Sequence, residues 1–75
     1  MDRVECYAGA SQPETPRRVY WQGEAYQVVE IIDRQRQPDR LFFLVSCSPG
    51  EHLFELTYFL EAETWQIHTK GRLPV

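Results

Sequence analysis

Cysteine and histidine are scarce in this 75-residue chain, with two of each. Cys6 and Cys47 are far apart, and neither they nor His52 and His68 show metal-ligand spacing, so no metal site is expected. The expected state is two reduced thiols, at least one of them buried; a Cys6–Cys47 bridge stays open at this point. The four glycines are scattered, and none sits in a loop that could cradle phosphate. Ser11, Ser46 and Ser48 lack the context of an activated nucleophile. Cys47 with His52 or His68 can be drawn as a thiol–imidazole pair, but a cysteine on the inner face of a strand is ordinary packing. Glu30 and Asp33 fall on a strand of uncertain register, and Glu61 and Glu63 flank a turn, where solvated carboxylates are common. No catalytic residue, cofactor or metal is therefore expected, and the chain does not read as an enzyme. The apolar run over residues 41–45 is too short to span a bilayer. Residues 1–10 contain no apolar signal region, so a cytoplasmic protein without membrane attachment is expected. Basic residues are also few: eight against eleven acids, a net charge of −3. That balance argues against strong nonspecific nucleic-acid binding, which needs a basic field.

Aromatic residues are what the chain has: four Phe, four Tyr and two Trp. A chain this short makes one domain, here residues 1–75 with a core over 16–69 and a flexible tail over 70–75. Such a domain buries only about 60% of the surface its unfolded chain exposes. Large side chains offset this, each aromatic burying roughly 150–250 Å².

The apolar pattern reads as strands. Residues 3–8 alternate Val4, Cys6 and Ala8 with polar neighbours, and residues 9–15 form a loop. Pro16 opens a second strand, where its missing N–H is harmless. Val19 and Trp21 share one face of it, Arg18 and Tyr20 the other. Gln22-Gly23-Glu24 turns the chain. Residues 26–34 are rich in β-branched side chains, which favours strand over helix. The doublets Val28-Val29 and Ile31-Ile32 break a simple period of two, so either both faces are covered or a bulge shifts the register. Residues 34–40 read as a loop around Pro38. Residues 41–47 form a strand with Phe43, Val45 and Cys47 on one face and Phe42 and Leu44 on the other. Ser48-Pro49-Gly50 is a turn, with positive φ expected at Gly50. Residues 52–60 pair back, with Phe54, Leu56 and Tyr58 inward. Residues 64–69 close the set with Trp65 and Ile67 inward. The fold expected is all-β: a small antiparallel barrel or strongly bent sheet of five or six strands, SH3-like or split. Trp21, Tyr26, Val28, Phe43, Phe54, Leu56 and Trp65 are its expected core. Phe42, Leu44, Leu53 and Phe59 fall on the opposite faces and predict a covering element or self-association.

One constellation points to a partner. Arg17, Arg18, Arg34, Arg36 and Arg40 are five of the eight basic residues. Pairing across Gly23 is expected to gather Arg17, Arg18, Arg34 and Arg36 at one end of the first hairpin, with Tyr20 as a stacking surface. Arginine beside an exposed aromatic suits an anionic partner. A solvated rim paired with Glu14, Asp33 and Asp39 is the plainer reading.

The order Pro16, Arg17, Arg18, Trp21, Gly23, Tyr26, Val28 resembles the opening of an uncharacterised family of short bacterial β-domains. Its later elements are matched by Phe42, Phe43 and Val45, by Phe54-Glu55-Leu56, and by Trp65 and Ile67. The similarity covers about residues 16–68. Two departures stand out: Gln35 occupies a position expected to be aromatic, and the middle loop is short. Related domains stand alone or form the C-terminal tail of a catalytically dead, Y-family polymerase-like protein of damage-induced mutagenesis. The resemblance implies a small barrel and no catalytic residues. The function expected is a non-enzymatic interaction module that docks on an unknown protein, in a DNA-repair setting. The alternative is weak single-stranded nucleic-acid binding through the arginine–aromatic patch.

Overall fold

The computed structural model describes residues 2–6 and 15–72. It is all-β: six antiparallel strands in the order β1-β2-β3-β4-β5-β6, curled into a half-barrel. The strands are β1 (Arg3–Cys6), β2 (Pro16–Trp21), β3 (Glu24–Arg36), β4 (Arg40–Ser48), β5 (His52–Phe59) and β6 (Thr64–Arg72). Every sheet neighbour is also a sequence neighbour, so short turns connect β2 through β6. The expected end of the first strand, most of the following loop and the last residues of the tail lie outside the described residues.

Local chemistry sets the turns. Between β2 and β3 the two central residues, Gln22 and Gly23, both have positive φ, 51° and 80°. That backbone matches the right-handed twist of the flanking strands. Between β4 and β5, Gly50 has the expected positive φ of 86°, Glu51 follows at 52°, and the Ser48–Pro49 peptide is cis.

Alternation along the strands builds one core on the concave face. Val19, Leu41, Phe43, Val45, Cys47, Phe54 and Leu56 are buried. Val4, Trp21, Tyr26, Val28, Ile31, Tyr58, Leu60, Trp65 and Ile67 pack against them. All seven expected core residues belong to this cluster. Three of them (Phe43, Phe54, Leu56) are among the buried residues, and the others form its partly covered rim.

The doublets of β3 are bulges. Val28 pairs with Cys47 and Glu30 with Ser46; Ile31 pairs with Val45 and Asp33 with Leu44. Val29 and Ile32 are the extra residues, left out of the core at 67% and 43% exposure. Each bulge resets the register so that Val28, Ile31, Arg34 and Arg36 all face the concave side.

Two expected boundaries change. Residues 34–36 belong to β3 rather than to a loop, because they continue the ladder opposite residues 41–43 of β4. The connecting loop is only residues 37–39, closed by a hydrogen bond from Gln37 N–H to the Arg40 carbonyl, 2.9 Å. At the other end β6 runs to Arg72, since His52 and Leu53 of β5 still offer partners to Arg72 and Gly71. Residues 70–72 are therefore part of β6 rather than of the tail expected from the sequence. On the convex face Phe42, Leu44, Leu53 and Phe59 are each half-buried within the sheet.

Candidate functional site

The strands differ in length, and this mismatch creates the most distinctive surface. β3 has 13 residues and β2 only six. Their ladder stops at Arg18 opposite Gln27. β2 begins at Pro16, so residues 31–36 of β3 lie past its start. Among the described residues no strand pairs with that side of β3. Among the described residues this leaves backbone N–H and C=O groups without a ladder partner at the sheet edge, although Arg34 N–H donates to the Asp33 carboxylate. Val29 and Ile32, the exposed large hydrophobic residues among those described, mark the same segment.

Arg34 and Arg36 sit at the end of this edge on the concave side, opposite Phe43 and Leu41 in register. The Arg34 guanidinium carbon lies 5.8 Å from the Phe43 ring centroid. Arg34, Gln35, Arg36, Leu41 and Phe43 line a hollow of about 220 Å³. Its floor is apolar and closed, with Phe43 2% and Leu41 6% exposed. Among the described residues neither guanidinium has an ion pair. Asp33, the nearest acid in sequence, accepts hydrogen bonds from Arg34 N–H at 2.8 Å and from Gln35 Nε2 at 3.1 Å.

The other half of the arginine group lies elsewhere, which corrects the expectation that the hairpin gathers all four. From the level of Gln27 to that of Arg34 the regular partner β4 runs from Ser48 to Phe43. That is roughly 16 Å along the strand. Arg18 and Tyr20 also face the convex side, away from Arg34 and Arg36. The tight turn at Gly23 fixes Arg18 opposite Gln27, well before Arg34, and this is why the two groups do not meet. Arg18 is engaged locally: its Nη1 donates to Tyr20 Oη at 3.2 Å and lies 3.5 Å from Glu5. The Tyr20 hydroxyl donates to Glu5 at 3.4 Å, and Arg3 covers the Tyr20 ring at 4.4 Å. The bond to Tyr20 and the charge of Glu5 together raise the pKa of Arg18. Arg17 is exposed and also has a partner. Arg40 pairs with Asp39 at 2.8 Å, and that hydrogen bond holds the Asp39 carboxyl below its usual range.

No family model, curated protein or solved structure matches this chain.

Among the described residues no three His, Cys, Asp or Glu side chains cluster in a way that could hold a metal ion. His52 is directly opposite Cys47 in the β4–β5 ladder. Its ring stacks on Phe54 at 4.5 Å and 15°, and its Nε2 is hydrogen-bonded to Thr69 Oγ1 at 2.7 Å. Both cysteines are free thiols. Burial pushes the Cys47 thiol up to about 12, and burial with the neighbouring Glu5 raises Cys6. A raised pKa means less thiolate at a given pH, and thiolate is the reactive form. At pH 8 an alkylating reagent should therefore modify Cys47 only after denaturant is added, and half-buried Cys6 slowly. Mass spectrometry after iodoacetamide treatment checks this; rapid labelling of Cys47 in the folded protein contradicts its burial.

Sequence reasoning named Arg34 and Arg36 but missed the edge that carries them and the Leu41–Phe43 floor. The available signal was the unequal length of the segments before and after Gly23. It was obscured because Gln35, Gln37, Pro38 and Asp39 make the end of β3 look like loop.

Proposed function

We propose that this domain is a non-enzymatic protein-docking module that accepts an extended segment of a partner along the open edge of β3. The observation that carries this reading is the end of the β2 ladder at Gln27 while β3 continues to Arg36. Strand addition uses free backbone groups for affinity and alternate side chains for specificity. Exposed Val29 and Ile32 supply the apolar contacts that accompany such pairing. The resemblance to tail domains of mutagenesis proteins supports a partner in DNA repair.

A second reading, weak single-stranded nucleic-acid binding, is favoured by Arg34 and Arg36, which have no ion pair among the described residues. Against it stand the net charge of −3 and the engagement of Arg18 and Tyr20 with Glu5.

Amide hydrogen exchange on the free domain tests the first reading. The amides of residues 31–36 that point away from β4 should exchange within minutes, while those of β4 and β5 are protected for far longer. Extended peptides selected for binding should then slow those same β3 amides. Full protection in the free, monomeric domain would mean the edge is already covered and would overturn the proposal.

A further inference from the structure

We infer that the segment docking on β3 is acidic, and that one of its carboxylates is held between Arg34 and Arg36 above Leu41 and Phe43. This rests on the docking reading and adds the chemistry of the partner.

Arg34 and Arg36 are two residues apart on one strand, so their side chains leave the same face. In register they stand over Phe43 and Leu41. No acidic residue lines the hollow. Three of the described acids are held by cations elsewhere: Glu5 by Arg18, Asp39 by Arg40 and Glu55 by Lys70. Asp33 bonds to a backbone N–H and to Gln35. The two guanidiniums are thus a local concentration of positive charge in a chain of net charge −3. A guanidinium presents a planar fork of donors that fits a carboxylate. The apolar floor keeps water from one side of the hollow and strengthens the attraction. The free edge beside it calls for an extended backbone. Together these describe a strand with an acidic side chain on its inner face. Two positions away on that face, an apolar side chain would reach Ile31, which faces the concave side in register with Val45.

A phosphodiester chain fits less well. Nucleic-acid strands are held by a run of cations and by aromatic faces on which bases stack. Here there are two cations, Phe43 is 2% exposed, and Tyr20 is on the other face beneath Arg3.

The test uses capped decapeptides of alternating valine and threonine, with each valine in turn replaced by glutamate. Binding is followed by backbone amide shifts of β3 at low and at physiological salt. One glutamate position should bind roughly tenfold more tightly than its glutamine counterpart. An Arg34→Gln, Arg36→Gln double variant should lose that preference while keeping its melting temperature, since both residues are exposed. Adding salt should shrink the preference as well. If glutamate and glutamine peptides bind the β3 edge equally, the carboxylate site is wrong and edge docking survives. If no peptide perturbs β3, the docking reading itself fails. If oligothymidylate binds more tightly than every peptide and depends on the same arginines, the site belongs to phosphate and the inference is overturned.

Discussion

Replacing Phe54 by alanine should cost roughly 3–5 kcal/mol and leave the domain largely unfolded at 37 °C. Phe54 is fully buried and opposite Val45 in the β4–β5 ladder. Its ring meets Trp21 edge-on at 5.6 Å, Tyr26 at 5.1 Å and His52 face-on at 4.5 Å. Truncation removes the transfer free energy of the ring and leaves a cavity between β2, β3 and β5. It also removes aromatic pairs worth about 0.5–1.5 kcal/mol each. Small domains have a total stability near the low end of about 5–15 kcal/mol. At about 4–8 °C per kcal/mol for this size, the melting temperature should fall by roughly 12–40 °C. Phe54→Leu keeps most of the volume and should lose much less. A Phe54→Ala variant with an unchanged thermal transition would show that the concave face is not the core.

Val45→Asp should be at least as damaging at neutral pH and should show an inverted pH response. Val45 is fully buried in the middle of β4, flanked in register by Ile31 and Phe54. A carboxylate there has no hydrogen-bond donor and no facing cation, which costs several kcal/mol. The folded state would therefore hold the new carboxyl protonated, with a pKa raised above its unfolded value of about 3.9. A raised folded pKa means that stability is kept below the unfolded pKa and lost as pH rises through the folded one. The deficit relative to the parent protein should thus be smallest near pH 4 and largest near pH 7. Val29→Asp, at an exposed bulge position, should stay within about 0.5 kcal/mol of the parent at both pH values. Urea titrations of the three proteins at pH 4 and pH 7 measure this. Equal losses for Val45→Asp and Val29→Asp would contradict the two-bulge register of β3.

The acidic-peptide proposal depends on the same register. Without the bulges, strict alternation from Val28 would place Arg34 and Arg36 on its face but move Ile31 to the other one. With them, Ile31, Arg34 and Arg36 share the concave side, and an apolar residue stands next to the charged pair.

The amino-acid sequence alone determined the strand content, the turns and most of the core. Those are local properties. Alternation at Val19 and Trp21, at Phe43, Val45 and Cys47, and at Phe54, Leu56 and Tyr58 follows from the two-residue period of a strand. The turns at Gly23 and Gly50 follow from the positive φ that glycine tolerates. Tertiary structure decided which halves of β3 acquire neighbours. Val28-Val29 and Ile31-Ile32 are compatible with a strand covered on both faces or with a bulged one. Only pairing with β4 selects the bulges: an extra residue after Val28 puts Ile31 on the same face, and a second after Ile31 returns Arg34 and Arg36 to it. The fate of the arginines was likewise not local. The turn at Gly23 sets Arg18 opposite Gln27, so Arg34 and Arg36 lie seven and nine residues further along β3 than the partner of Arg18. Arg18 engages Glu5 and Tyr20, while Arg34 and Arg36 have no ion pair among the described residues.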